Sequence, residues 1–299
     1  MTTTFKQLTD EVMLSMYGYT AKQDRITHLD ATLAIGGTTI SFDSVSNIGK
    51  GVVEIDEELI WLDTYDRISS NGYVPPYGRG YQGTTAIEHA IGAKVTIAPS
   101  FPRFHVKKAI NDTILATYPN LWGVGSTTFT TTATRTTYSL PAEAETVLYV
   151  SWSLTGPSQE WRRVKSYRHD SFANSTAFAT GNSISIYDGI TPGRTVQVFY
   201  TKKPSPLVND ASVFEELTGY PESCKDVIIY GTCYRLLSFI DPGRLNYASA
   251  EADLADSKTQ YGSAASSAKY IRSLYQERLT EEAGKLRDTY PNSIHYTRY

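Results

Sequence analysis

The stretch Tyr77–Val95, YGRGYQGTTAIEHAIGAKV, sets an arginine between two glycines and a histidine beside a glutamate. Arg79 could hold an anion and His89 could carry a proton, so acid–base chemistry is the first possibility to weigh. Such chemistry needs partners. The five histidines, His28, His89, His105, His169 and His295, are scattered, none three or four positions from another. A phosphate loop is absent, since NIGKG lacks both the upstream glycine and the following hydroxyl. Neither Gly-x-Ser-x-Gly nor His-Glu-x-x-His occurs. EIDEE, Glu54 to Glu58, groups four acids, but on an alternating strand they point to opposite faces. They read as a solvated strand edge and not as a metal cage. The glycines permit positive φ where a strand reverses, and an arginine among them can pin loop carbonyls. Arg79, Gly80, Gly83, Thr84, His89 and Gly92 therefore read as a structural loop. No catalytic, metal-binding or cofactor-binding residue is expected, and enzyme activity is not.

The elements that carry this loop are legible as periods. Phe5, Leu8, Val12 and Met16 mark a first helix, with Thr4 and Gln7 spaced as a capping box and Gly18 as a stop. A second runs from Ser100 and Pro102, with a stripe of Val106, Ile110 and Ile114, to Pro119. A third opens at Pro221 and is apolar on nearly every face. Asp241–Arg244 reads as a tight turn, followed by a long fourth helix from about Leu245 to Leu286. Its thin stripe includes Leu254, Tyr261, Ala265, Ala268 and Tyr275.

Alternation in TLAIGGTTISFDS, GVVEIDEELIWLDTYD and AKVTIAP predicts strands within residues 30–98, and five more follow within residues 126–203. The expected fold class is α+β: a helical bundle core with two antiparallel β insertions, one barrel-like and one sandwich-like, and a polar C-terminal tail. Residues 1–29 and 99–125 supply the first part of the core, 30–98 the first insertion and 126–205 the second. Residues 206–286 supply the third and fourth helices, and 287–299 the tail. Trp152 and Trp161, followed by Arg162, Arg163, Lys165 and Arg168, could stack on single-stranded nucleic acid. The simpler reading puts both tryptophans in the sandwich core.

Composition narrows the classes further. With 299 residues and a net charge of −3, the chain has no global basic field for tight nucleic-acid binding. Cys224 and Cys233 stand alone in one apolar stretch and read as buried thiols. The N-terminus shows no signal-peptide pattern and no apolar run is long enough to span a membrane, so a soluble intracellular protein is expected.

EIDEELIWLD leading to RGYQGTTAIEHAIGAKV resembles a segment of tailed-bacteriophage structural proteins, carried here by Arg79, Gly80, Gly83, Thr84, Ala86, His89, Gly92 and Val95. The β-module with Trp152, Trp161 and VQVFYTKKPSPL is similar to theirs, and the last helices with their polar tail resemble head-to-tail adaptor (connector) proteins. The resemblance implies a ring, typically of twelve copies, in the virion neck between portal and tail. It implies self, portal and tail completion or stopper proteins as partners, and DNA passing through the lumen without sequence-specific binding. The chain would be made in the host cytoplasm and need no cofactor. Tyr261, Ala265, Ala268 and Tyr275 become subunit-interface candidates, and Arg287, Tyr290, His295, Tyr296 and Tyr299 portal-binding candidates. The large β insertions leave a minor tail protein with a receptor- or carbohydrate-binding domain as the alternative.

Overall fold

Thr4 and Gln7 start the first helix as their spacing predicts. The Thr4 N–H donates to Gln7 Oε1 at 2.9 Å and the Gln7 N–H to Thr4 Oγ1 at 3.3 Å, a reciprocal cap. The computed structural model describes residues 2–18, 24–46, 48–154, 160–251 and 263–290. Its helices are α1 (Phe5–Tyr17), α2 (Arg103–Ala116), α3 (Phe214–Thr218), α4 (Lys225–Glu251) and α5 (Ser263–Thr289). Phe5, Leu8, Val12 and Met16 are buried, as are Val106, Ile110 and Ile114 on α2.

The chain divides into two compact units. One comprises Thr9–Ile110 and Thr232–Ala268, the other Met1–Leu8, Asn111–Gly231 and Lys269–Tyr299. The first holds strands β1 (Arg25–His28), β2 (Thr39–Ser41), β3 (Gly51–Ile55), β4 (Glu58–Leu62), β5 (Thr64–Asp66), β6 (Asn71–Tyr73) and β7 (Lys94–Ile97). They form two sheets, ordered β1-β7-β3-β4 and β2-β6-β5. Phe42, Val53, Ile55, Ile60, Leu62 and Val95 meet in one core.

The second unit carries β8 (Gly123–Thr130), β9 (Thr137–Ser139), β10 (Thr146–Ser153), β11 (Trp161–Arg163), β12 (Tyr167–Asp170), β13 (Ser183–Ile186) and β14 (Thr195–Lys202). A sheet ordered β11-β10-β14-β8 shares a core with one ordered β12-β13-β9. Val150, Val196, Val198 and Ile184 are wholly buried there. Each such side chain contributes about 1.5–3 kcal/mol.

A helical bundle core is not what the sequence folds into. The described residues form fourteen strands in four antiparallel sheets against five helices, and each of the two β regions has a core cluster built from strands and their flanking loops. Helical periods stand out in a sequence because they run long. Short strands leave weaker marks yet supply most of the architecture here. Further corrections follow. The turn expected at Asp241–Arg244 lies inside α4, and residues 245–251 belong to that helix. GVVEIDEELIWLDTYD is a hairpin, β3 turning into β4 through Asp56 and Glu57. Trp152 packs partly against the sandwich core, whereas Trp161 is 45% exposed on β11. The thiols of Cys224 and Cys233, by contrast, are buried as expected, and burial pushes both up to about 12.

Asn182, 6% exposed, ties the start of β13 to the loop before β10. Its Nδ2 lies 3.1, 3.2 and 3.0 Å from the carbonyls of Pro141, Ala142 and Ala144. Asn182→Ala leaves these carbonyls without their donor and should cost about 1–3 kcal/mol, read from the denaturant midpoint of unfolding.

Candidate functional site

The β3–β4 hairpin divides the four acids of EIDEE between two sites, Asp56 and Glu58 meeting His89 while Glu54 and Glu57 reach helix α2. Asp56 takes φ 54° at the turn, a left-handed conformation that aspartate tolerates. Glu58, only 1% exposed, is the centre. Arg79 grips it in a fork, Nε to Oε1 at 2.7 Å and Nη2 to Oε2 at 2.9 Å. The main-chain N–H groups of Gly80 and Ile87 donate to the same carboxylate at 2.9 and 3.1 Å. His89 Nε2 lies 2.9 Å from Glu58 Oε2, and its Nδ1 lies 2.7 Å from Asp56 Oδ2. The remaining N–H groups of Arg79 reach the carbonyls of Ala34 (2.7 Å), Gly37 (3.3 Å) and Ile87 (2.7 Å). All five guanidinium donors are thus engaged.

The other acids hold helix α2. Glu54 accepts the N–H of Arg103, first residue of that helix, at 2.6 Å, and Glu57 pairs with Lys107. Loop shape follows from backbone freedom. Gly80 sits at φ 60° with room for no side chain, since a Cβ would lie 2.8 Å from the carbonyl of Thr84. Gly92 sits at φ 79°. Gly83 is at φ 84°, and Thr84 Oγ1 donates to the Tyr81 carbonyl at 2.9 Å and accepts the Leu59 N–H at 3.1 Å. His89 exchanges main-chain bonds with Leu33 at 2.9 Å each way.

Burial works against charge at each of these groups, and the partners decide the outcome. For Glu58, burial favours the neutral acid, but Arg79, His89 and the two N–H groups outweigh it and hold the carboxyl at about 2. For His89, burial favours the neutral ring, but the hydrogen bonds to Glu58 and Asp56 raise it above its ordinary value. Glu54 has one main-chain donor and no such fork, so burial pushes it up to about 7 despite the Arg103 bond. Both nitrogens of the His89 ring are held by carboxylates and its side chain is fully buried, so neither is left to move a substrate proton. Among the described residues no group of His, Cys, Asp or Glu could hold a metal ion, and no helix is long and apolar enough to cross a membrane.

A second cluster closes the C-terminal end of α5. Glu282, 1% exposed, accepts from Ser223 Oγ at 2.5 Å and Lys285 Nζ at 2.8 Å, and Arg278 Nη2 stands 3.5 Å away. Beside it lies a cleft of about 390 Å³ lined by Val124, Tyr220, Lys285, Leu286 and Tyr290. Tyr290 meets Trp122 edge-on at 6.0 Å.

The family model of the SU10 adaptor protein matches residues 89–282, more than half of the chain. The chain belongs to the SU10 adaptor protein family. It is a structural protein of the phage head-to-tail adaptor type, a virion component that works against other head and tail proteins. No curated protein matches the chain.

In this adaptor the structural loop is brought together around a residue that spacing alone missed, Glu58, with Asp56 joined to it through His89. The solvated strand edge expected for EIDEE is corrected accordingly, since Glu54 and Glu58 are buried. A signal was present: five guanidinium donors in a glycine-rich loop need acceptors, and Glu58 directly precedes the apolar Leu59 and Ile60. The expected subunit-interface residues separate. Tyr261 lies outside the described residues and so does the side chain of Ala265. Ala268 is buried within the chain, and Tyr275 lies close over Gly231 of α4. Of the tail, Arg287 is exposed in the last turn of α5, so the tail begins later than expected. His295, Tyr296 and Tyr299 lie outside the described residues.

These shifts set a pH profile for the hub. Glu58 is depressed, so its contribution is full above about 4.5 and is lost as pH falls towards 2, about 3 kcal/mol in all. Glu54 is raised, so stability is lost as pH rises from about 4.5 to 7. His89 is also raised, and its contribution is lost as pH climbs beyond 6.5 through its folded value. The melting temperature of this unit should peak near pH 4.5–5 and fall on both sides. Glu54→Gln should flatten the alkaline arm, and Glu58→Gln should remove the acid arm while destabilising by about 3–5 kcal/mol, because Arg79 is left without its counter-charge.

Proposed function

We propose that this adaptor forms a ring of about twelve copies in the virion neck, joining portal to tail around a channel for DNA. Family membership carries the reading, and the hub supports it: the residues best suited to chemistry are engaged in holding loops together. On this proposal the protein is not an enzyme and needs no cofactor. Its partners are its own copies, the portal, and a tail completion or stopper protein. DNA slides through without sequence-specific contacts, which a mildly acidic chain favours because each phosphate contact would add affinity.

The C-terminal end of α5 is proposed as the portal clasp. Arg287 and Tyr290 stand at its tip, and His295, Tyr296 and Tyr299 follow in sequence. Several weak anchors repeated around a ring give high avidity. A minor tail protein with a carbohydrate-binding domain is the second reading. It draws on a cleft of about 330 Å³ in the sandwich, lined by Arg135, Tyr138, Tyr187 and Asp188, a lining suited to sugars.

Electron microscopy of the purified chain mixed with portal tests the choice. Rings with an open lumen seated on the portal are expected, and isolated particles with glycan affinity would support the second reading. A chain ended after Tyr290 keeps α5 and the Trp122 contact, so it should fold normally. Its affinity for portal should drop at least about tenfold, as burial of even one tyrosine contributes about 1–3 kcal/mol.

A further inference from the structure

Two surfaces of this chain combine exposed apolar groups with charge of a single sign, and the signs are opposite. The hub builds the first. Residues 29–37 and 85–92 run side by side: His89 and Leu33 exchange main-chain bonds, and the Gly92 N–H donates to the Leu29 carbonyl at 2.8 Å. Arg79 holds the carbonyls of Ala34, Gly37 and Ile87. Ile35, Ile87 and Ile91 on these segments are 59%, 40% and 66% exposed. The charged residues among them are Asp30 and Glu88, both exposed, and neither segment contains a lysine or an arginine.

The second is the outer face of the four-stranded sheet of the sandwich. Val150, Trp152, Val196 and Val198 pack into the shared core, so Tyr149, Ser151, Gln197 and Phe199, which alternate with them, face outward. Register adds Arg163, opposite Ser151, and Trp161, opposite Ser153, to that outer face. Arg163 lies over the Tyr149 ring at 4.7 Å, and Tyr149 stacks on Phe199 at 4.5 Å. None of the four strands contains an aspartate or a glutamate. Tryptophan, tyrosine and arginine without acids make the composition of a protein-binding hot spot. The acids that would complement Arg163 stand beside the isoleucines of the first surface. We propose that the isoleucine loops of one copy dock on the aromatic sheet face of the next, with Glu88 set against Arg163. The inference rests on the ring reading and names the two faces that such a ring requires. Because the faces differ, the contact is head to tail, and each copy keeps one of each free for its neighbours. Loops fixed by the hub before contact lose less freedom on association.

Sedimentation velocity of the full chain over a range of concentrations tests this. The wild-type chain should associate beyond a dimer. Arg163→Glu and Glu88→Arg should each weaken association at least about tenfold, because each sets like charges against one another, while the melting temperature stays unchanged. An equal mixture of the two variants should assemble as the wild type does, since every contact then joins an arginine to a glutamate. Ile91→Ser leaves every hub group in place and should weaken association as well. Variants that assemble like the wild type, or a mixture that recovers nothing, would overturn the contact and leave the ring reading standing. Assembly that stops at a dimer would overturn the head-to-tail arrangement. A wild-type chain that neither associates in solution nor forms rings on the portal would overturn both.

Discussion

A carboxylate buried as deeply as Glu58 is costly unless its oxygens are satisfied, and here they accept five hydrogen bonds. That requirement organises the first unit. It draws Arg79 inward, and Arg79 in turn holds Ala34, Gly37 and Ile87 by their carbonyls. It also fixes His89, whose main chain pairs with Leu33 and whose ring reaches Asp56. The hairpin tip then extends the grip to α2 through Glu54 and Glu57. Two loops and a hairpin meet around one side chain, and the same hairpin holds a helix start.

Some of this was legible from residue types alone. The capping box at Thr4 and Gln7 and the stripes of α1 and α2 depend on local spacing, and local spacing is what a sequence displays. The hairpin at Asp56–Glu57 was not legible, because its turn lacks the Asn-Gly or Gly pair that marks such reversals. Without the turn, four acids on one strand pointed to opposite faces. With it, Glu54 and Glu58 still face opposite sides of the hairpin, but each is buried against its own donors, Arg103 for one and Arg79 for the other. The helical bundle was over-read for a related reason: long periods count heavily in a sequence, whereas three-residue strands such as β2, β5 and β6 acquire identity only through their partners.

The sandwich shows the same division between local and nonlocal information. Trp152 and Trp161 both read as core residues, yet only Trp152 faces the shared core. Trp161 pairs with Ser153 at the sheet's edge and remains open to solvent. Arg163 beside it lies over the ring of Tyr149 at 4.7 Å, and Tyr149 stacks on Phe199 at 4.5 Å. Aromatic groups thus line an outer sheet face that alternation alone could not separate from the inner one.

Buried ion clusters can often be replaced by apolar side chains of similar volume with no loss of stability. The hub differs because its partners are largely main chain. Three Arg79 contacts end on carbonyls and two Glu58 contacts begin at N–H groups, all in irregular segments without a full strand ladder. An apolar trio would fill the space and leave those groups unpaired inside the protein, at about 1–3 kcal/mol each. Arginine, glutamate and histidine are therefore the side chains by which a folded loop, rather than a strand or helix, satisfies its own backbone. That is why a stretch composed like an active site serves as architecture in an adaptor.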